Sequence, residues 1–548
     1  MIMFGHKSFN FIIFVLFVNL TNGILLTTKQ GILKGEVSKS RSGRTFYTFY
    51  GIPYAEPPVG KLRFQNPILA QPWEGIRDAT VLPPSCIYHY FEAGVIGQED
   101  CLYLNVYTPK ITNETLLPVM VLTFGGRFMY GDALPHRYGP HYLMDRDVIL
   151  ITFHYRLGIL GFLSTEDETL PGNYGLKDGV AVLQWVQKYI ADFGGDKDRV
   201  TIFGGSSGGM TTSLTLLSPL AKGLFHRVIS QSGDPFSFDL CYQGRLAAWK
   251  LGSMVDCTGD DVKTSDDLVK CLKSIPAEEL ASHNNDFFTH GIMIPSMPWS
   301  PIIESENVPG AFLVDDPTKL IQRNSDIPWM MGMNSDEGGM MALFQYFRPD
   351  CTALLDELNE NYKELFPLIF GYGCHVKDPE RLDFITETYK KHYFGENNIS
   401  QDAYGFSKMF SSLKYLWFTK KSMALYQGPK YFYYYDHKNE ESFAKTMIPN
   451  ASVEFGVIHG DELISLFNWS SEITPVTKGV DLIVSEQMLD LWTNFAANGD
   501  PNYKDKRIWD PVESSNLNYL HIQGGTLQMK NEFMKEESEF LENILGES

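Results

Sequence analysis

Val200-Thr201-Ile202-Phe203-Gly204-Gly205-Ser206-Ser207-Gly208-Gly209-Met210 is the stretch on which the fold turns. Its first four residues are β-branched or apolar and read as a buried strand. From Gly209 to about Leu217 the chain reads as a helix. Between them lies G-x-S-x-G, the pattern of a sharp strand–turn–helix corner that holds a serine above a sheet. The glycines answer the tight turn. The backbone N–H of the next residue, Ser207, is placed to donate to a developing oxyanion. As a bare pattern it also fits a plain glycine-rich turn; the strand before it and the helix after it favour the nucleophile reading.

Working outward, other apolar runs repeat the theme. Val119 to Phe124 ends at Gly125-Gly126, Val148 to Phe153 follows, and Lys430 to Tyr435 is an aromatic strand candidate. Runs apolar at every position suit strands buried on both faces. Leu176 to Phe193 and Leu482 to Ala497 read as helices, ended by Gly194-Gly195 and by Asn498-Gly499. Strand and helix in alternation predict an α/β fold with a largely parallel sheet. No internal repeat or long Gly/Ser linker interrupts it. Regions 255–300 and 345–400 are more polar and less patterned; they read either as insertions that cap a site or as surface excursions.

The 548 residues carry 46 Lys and Arg against 66 Asp and Glu, a net charge of −20. Such a surface repels nucleic acid and anionic membranes, so neither is an expected partner. Lys7 followed by the almost wholly apolar run Phe11 to Leu20, then Thr21 and Gly23, reads as a signal peptide over 1–23. The run is too short for a spanning helix, which needs ~20 residues. Glu539 to Ser548 reads as neither a hydrophobic anchor tail nor a retention signal. The expectation is a secreted protein with one domain over 24–548 and no integral membrane anchor. Protein partners are not legible. The seven cysteines form no CxxC pair and, behind a signal peptide, read as structural disulfides. Asn113, Asn398, Asn450 and Asn468 stand in N-x-S/T sequons and are the glycosylation candidates.

Two further places carry chemistry. Phe124-Gly125-Gly126-Arg127-Phe128 closes a strand candidate, where glycines let backbone N–H groups approach a ligand. Glu337, in Gly332 to Gly338, and His459, in Phe455 to Glu462, complete the order serine, acid, histidine. A serine hydroxyl needs an imidazole base, and the imidazole needs a carboxylate to fix its tautomer and stabilise its charged form.

With these residues in place, the chain resembles the type-B carboxylesterase and cholinesterase family of the α/β-hydrolase fold, most closely its secreted insect carboxylesterases. The similarity runs from about Gly31 to Val512. It includes Phe49-Tyr50-Gly51-Ile52-Pro53-Tyr54-Ala55, Glu99 to Val106, Tyr155-Arg156-Leu157-Gly158, Gly172 to Asp178, Phe193-Gly194-Gly195-Asp196 and Gln231-Ser232-Gly233. The resemblance implies a serine carboxylic-ester hydrolase acting on a small-molecule ester, with Ser206 as nucleophile, His459 as base and Glu337 as orienting acid. It implies an oxyanion hole from the N–H groups of Gly126, Arg127 and Ser207. It implies no metal and no organic cofactor. It also implies disulfides Cys86–Cys101 and Cys257–Cys271, leaving Cys241, Cys351 and Cys374, of which the last two are candidates to pair.

The chain departs from the family at the site. Gly205 and Ser207 stand where Gly-Glu-Ser-Ala-Gly has glutamate and alanine, Arg127 where a third oxyanion glycine is usual, and Phe124 where relatives often have histidine. Arg127 keeps an N–H to donate, but its side chain stands to force the backbone out of a glycine-only conformation. Its guanidinium would equally attract an anionic substrate. These changes support a second reading, an impaired esterase-like protein that binds or sequesters. A side chain filling the pocket above Ser206 would favour that reading; one turned aside would favour turnover.

For substrate choice, the 14 residues between Cys86 and Cys101 contain no tryptophan, which counts against a choline ester. The glutamine usual in juvenile-hormone esterases is absent at Gly205. An ester with an apolar part fits better. Phe236 and Phe238 read equally as pocket or as core.

Overall fold

The computed structural model describes residues 23–546 apart from 113, 238–241, 289–296, 324–325, 349–351, 450–451 and 514–516. Residues 1–22 of the expected signal peptide, Asn113, Phe238, Cys241, Cys351 and Asn450 lie outside the described residues.

The strands in chain order are β1 Gly23–Thr27, β2 Ile32–Lys39, β3 Thr45–Pro53, β4 Ile76–Asp78, β5 Tyr88–Tyr90, β6 Gly94–Ile96, β7 Tyr103–Thr108, β8 Leu117–Leu122, β9 Ile149–Phe153, β10 Gly195–Gly205, β11 Arg227–Gln231, β12 Trp329–Asn334, β13 Lys430–Tyr435, β14 Tyr519–Gln523 and β15 Thr526–Lys530. Thirteen of them form one sheet in the order β1-β2-β3-β7-β9-β8-β10-β11-β12-β13-β14-β15, with β4 beside β2. From β9 to β14 every neighbouring pair is parallel. The other pairs along this order, toward the two edges, are antiparallel, and the short β4 pairs β2 in parallel. β5 and β6 make a separate hairpin. Every residue of β8, β9 and β12 is buried, as continuous apolar runs require in a sheet covered by helices on both faces. This is the expected α/β-hydrolase architecture.

The boundaries differ from the sequence reading in instructive ways. The run starting at Val119 is strand over Leu117–Leu122, so Phe124 already lies in the loop beyond β8. Gly204 and Gly205 remain in β10, paired with Ser230 and Gln231. The helix after the corner spans Ser207–Leu217, starting two residues before the Gly209 expected. Buried packing overrides the low helix propensity of glycine here. A Cβ on Gly208 would lie 2.1 Å from the Thr123 carbonyl oxygen, so only glycine lets this helix approach the strand. The helix expected at 482–497 spans Gly479–Asn498 and ends at left-handed Gly499.

The described parts of the two unpatterned regions hold helices. Ser265–Leu272 and Ala277–Ser282 lie in the first, Ala353–Phe370 and Pro379–Phe394 in the second. Leu358, Phe366, Ile369, Ile385 and Tyr389 of the second are buried, so this region is core as much as surface. Both expected disulfides are present, Cys86–Cys101 and Cys257–Cys271. Cys374 is disulfide-bonded as well. Asn398 is exposed, whereas Asn468 is half-buried with its Oδ1 shielded from solvent. No helix among the described residues is long and apolar enough to cross a membrane.

Candidate active site

The chemistry-bearing residues sit just beyond the carboxyl ends of four neighbouring parallel strands. Ser206 follows β10, Gly125 to Phe128 follow β8, Glu337 follows β12 and Ser232 follows β11. His459 comes from the loop after β13 and is stitched to the Glu337 loop by a parallel bridge between Asp336 and Ile458. Ligand sites of open parallel sheets lie at these strand ends.

Ser206 adopts φ +60° and ψ −131°, a strained conformation for a residue with a side chain. Its N–H donates to the Gln231 carbonyl at 2.9 Å and its carbonyl accepts from Met210 N–H at 2.9 Å. Both ends of the corner are thus fixed, and the half-buried side chain faces a cavity of about 580 Å³. Gly126, Arg127, Ser207 and His459 line the same cavity. Ser207 is the first residue of its helix, where N–H groups have no carbonyl one turn back. Its N–H is free of the helical ladder and stands beside Ser206.

Glu337 and His459 meet inside the protein. The Glu337 Oε2 carboxylate lies 2.5 Å from His459 Nδ1, and the two residues are 0% and 6% exposed. The other oxygen, Oε1, accepts from Ser232 Oγ at 2.5 Å and from Asn334 N–H at 2.7 Å. The carboxylate is therefore locked, and it holds the ring with Nδ1 protonated and Nε2 as the free base. Among the described contacts no hydrogen bond joins Ser206 Oγ to His459. In unliganded active sites such bonds are commonly long and tighten when substrate binds. Burial alone would lower the His459 pKa; the Glu337 carboxylate, its hydrogen bond, and then Glu462 and Asp461 outweigh burial and raise it above the ordinary imidazole value.

Those last two acids were missed by the sequence reading, although they directly follow His459-Gly460. Glu462 is fully buried, accepts from Asn334 Nδ2 at 2.6 Å and from Gln231 Nε2 at 3.2 Å, and burial beside Glu337 pushes its pKa up to about 7. Burial likewise pushes Asp461 up to about 7, opposed by bonds from Phe443 N–H and Ser442 Oγ. Glu462 and Asp461 thus add to the negative field that Glu337 exerts on His459. A Cβ on Gly205 would meet the Leu463 side chain at 3.2 Å.

The loop after β8 holds a correction. Arg127 does not abandon the glycine-like conformation: it sits at φ +58°, and Phe128 follows at +62°. Met129 and Tyr130 N–H groups both donate to the Gly126 carbonyl, at 2.9 and 3.1 Å, closing the loop. Phe128 is fully buried, with its ring 4.9 Å from Phe162. The Ser207 hydroxyl is buried and accepts from Phe128 N–H at 3.4 Å. Phe124 stacks on Tyr155 at 4.4 Å, and the Tyr155 hydroxyl donates to the Phe124 carbonyl at 2.8 Å. The Arg127 guanidinium lies over the Phe288 ring at 5.2 Å, and the cavity above Ser206 stays open. Phe236 is buried and carries Lys421 over its ring, which makes it core rather than cavity wall.

Comparison with known proteins places this geometry. Residues 22–541 match the carboxylesterase family model. The chain is 36% identical to a juvenile hormone esterase of Tribolium castaneum over 95% of its own length and 92% of that protein. It is 36% identical to esterase FE4 of Myzus persicae, over 89% and 86% of the two chains. Among solved structures it is similar to juvenile hormone esterase from Manduca sexta with OTFP covalently attached, at TM-score 0.83 and 26% identity, over 96% of this chain and 100% of that one. A parallel sheet with chemistry at its strand ends and family similarity along nearly its whole length lead to one assignment: the chain belongs to the carboxylesterase family and is a carboxylic-ester hydrolase of the α/β-hydrolase fold.

Proposed function

We propose that the protein is a secreted serine esterase, a single domain over 24–548, that works through an acyl-enzyme on Ser206. The observation that carries this reading is the 2.5 Å Glu337–His459 contact in the wall of the cavity that Ser206 faces. Ser206 Oγ attacks the ester carbonyl while His459 Nε2 takes its proton. Glu337 holds the imidazole and stabilises the imidazolium that forms. The carbonyl oxygen becomes an oxyanion, held by the N–H groups of Gly126, Arg127 and Ser207. Collapse expels the alcohol, which takes the proton from His459. Water, activated by the same histidine, then releases the acid and restores Ser206.

The wall suits a sizeable apolar group, with Met210, Met340, Met341, Phe344, Phe410 and Trp469 facing it. The open cavity above Ser206 favours turnover over sequestration. The test follows p-nitrophenyl acetate and butyrate through a full time course beside Ser206→Ala. Sustained release by the native protein and none by the variant supports the reading. A burst of about one equivalent followed by a stall would instead support sequestration.

A further inference from the structure

The cavity has a charge pattern that ester hydrolysis itself does not call for. Among the described residues its lining includes four cationic side chains, Arg127, Arg137, Arg348 and Lys414, and one acid, Glu472. That acid lies 3.9 Å from Arg137, which also faces Asp132 at 3.9 Å. The chain as a whole carries −20, so the sign of this wall is opposite to that of the protein around it.

Each cation is placed by the fold. Arg348 lies over the rings of Phe91 and Phe344, at 4.8 and 5.5 Å. Lys414 and Tyr415 sit in a widened helical turn, Ser412–Leu416, inserted between the helices Ala403–Ser411 and Trp417–Leu425. Such turns recur at functional sites because they re-aim side chains. Tyr415 brings its ring to 5.1 Å from the His459 imidazole. Arg127 reaches from the loop beside Ser206 to the Phe288 face at 5.2 Å. A ring face attracts a guanidinium through its quadrupole and helps to orient it. Burial pushes the Arg127 pKa below the usual arginine range, with Tyr130 and Tyr415 opposing it. A desolvated guanidinium gains strongly from an incoming anion, and its planar fork matches a carboxylate.

We propose that the cavity selects esters carrying a second, negatively charged group such as a carboxylate, and that the Arg127 side chain is the specificity-determining residue that receives it. This rests on the esterase reading of the same site and names its substrate class. The backbone N–H of Arg127 faces the reacting carbonyl, and its side chain reads charge further along the same molecule. The positive wall acts locally, where the low-dielectric surroundings strengthen it.

The test uses matched ester pairs at fixed ionic strength with the full secreted chain. One pair has the charge on the acyl side, the p-nitrophenyl half-ester of adipic acid against p-nitrophenyl hexanoate. The other has it on the alcohol side, 4-carboxyphenyl acetate against phenyl acetate. The readout is the charged-to-neutral ratio of kcat/KM, in which any change to the shared oxyanion hole cancels. The native protein is expected to prefer the charged ester in one pair. Arg127→Gln is expected to lower that ratio roughly 10-fold or more, and Arg127→Lys to retain much of it. Ratios at or below one in both pairs, or ratios that Arg127→Gln leaves within twofold, overturn the proposal. Calorimetric binding of the same pairs to Ser206→Ala keeps the two readings apart. Absence of any turnover sinks the esterase reading, while a charged-ligand preference lost with Arg127→Gln still supports the cavity's selectivity, and its absence refutes it.

Discussion

Two corners of this molecule carry the same backbone strain and hold it in opposite ways. Ser206 at φ +60° follows β10, and Arg127 at φ +58° lies in the loop after the neighbouring β8. Around Ser206 the strain is held by missing side chains. Added Cβ atoms on Gly204, Gly208 and Gly233 would lie 2.3, 2.1 and 2.3 Å from backbone oxygens. Backbone can therefore close on backbone, and the serine has nowhere else to go. Around Arg127 the strain is held by side chains that are present. Phe128 is fully buried at φ +62°, and its N–H is tied to the Ser207 hydroxyl. Close packing of glycines fixes the serine corner, and burial of an aromatic fixes the loop after β8. The second device tolerates a change of side chain at Arg127 that the first would not tolerate at Gly204, Gly208 or Gly233.

The largest expected effect tests the serine corner. Ser206→Ala should lower kcat/KM by roughly 10⁶ while the protein stays folded. An unfolded variant, or one with residual activity near native, would break the claim that this corner serves chemistry alone. Glu337→Gln comes next, with a loss of about 10⁴ in kcat, because the amide can present the wrong partner to His459 Nδ1. A loss under tenfold would show that the locked carboxylate is not what holds the base.

Stability measurements sharpen the contrast. Gly208→Ala drives a Cβ to 2.1 Å from Thr123 O and should cost about 3 kcal/mol or more, read by chemical denaturation. Phe128→Gly relieves a left-handed residue worth about 1 kcal/mol yet should still destabilise by ~2–4 kcal/mol, since a buried aromatic is lost. If Phe128→Gly stabilised the protein, burial would not be what holds the second corner.

The smallest effect is a shift in pH dependence. The base must be neutral to act, and its pKa is raised. Activity should therefore rise with pH through a midpoint above the ordinary imidazole value of 6.5 and fall on the acid side. Glu462→Gln removes one of the charges that raise it, so the acid limb of kcat/KM should move to lower pH. A limb that stays in place, or moves up, would show that Glu462 does not act on His459.

Much of this was legible in the chain. The strand Lys430–Tyr435 was read to the residue, because an unbroken aromatic run has one sensible structure. Ser206 stands in a distinctive local pattern, whereas Glu337 and His459, unremarkable alone, stand out only through the order serine, acid, histidine and the family resemblance; the structure brings these two to 2.5 Å. Ser232, Asn334 and Glu462 were not legible. Their roles arise from neighbouring strands that place residues about a hundred positions apart at one spot, and periodicity reports only local neighbours. Arg127 was misread for a related reason. Propensity argues against a left-handed arginine, while the closed loop and the buried Phe128 impose it.

The central claim is that Ser206 forms the covalent intermediate. The most direct test is to react the purified protein with a fluorophosphonate and locate the adduct by peptide mass spectrometry. The account predicts one stoichiometric adduct on Ser206, slowed sharply by His459→Ala. Labelling at another residue, or undiminished labelling of Ser206→Ala, would contradict it.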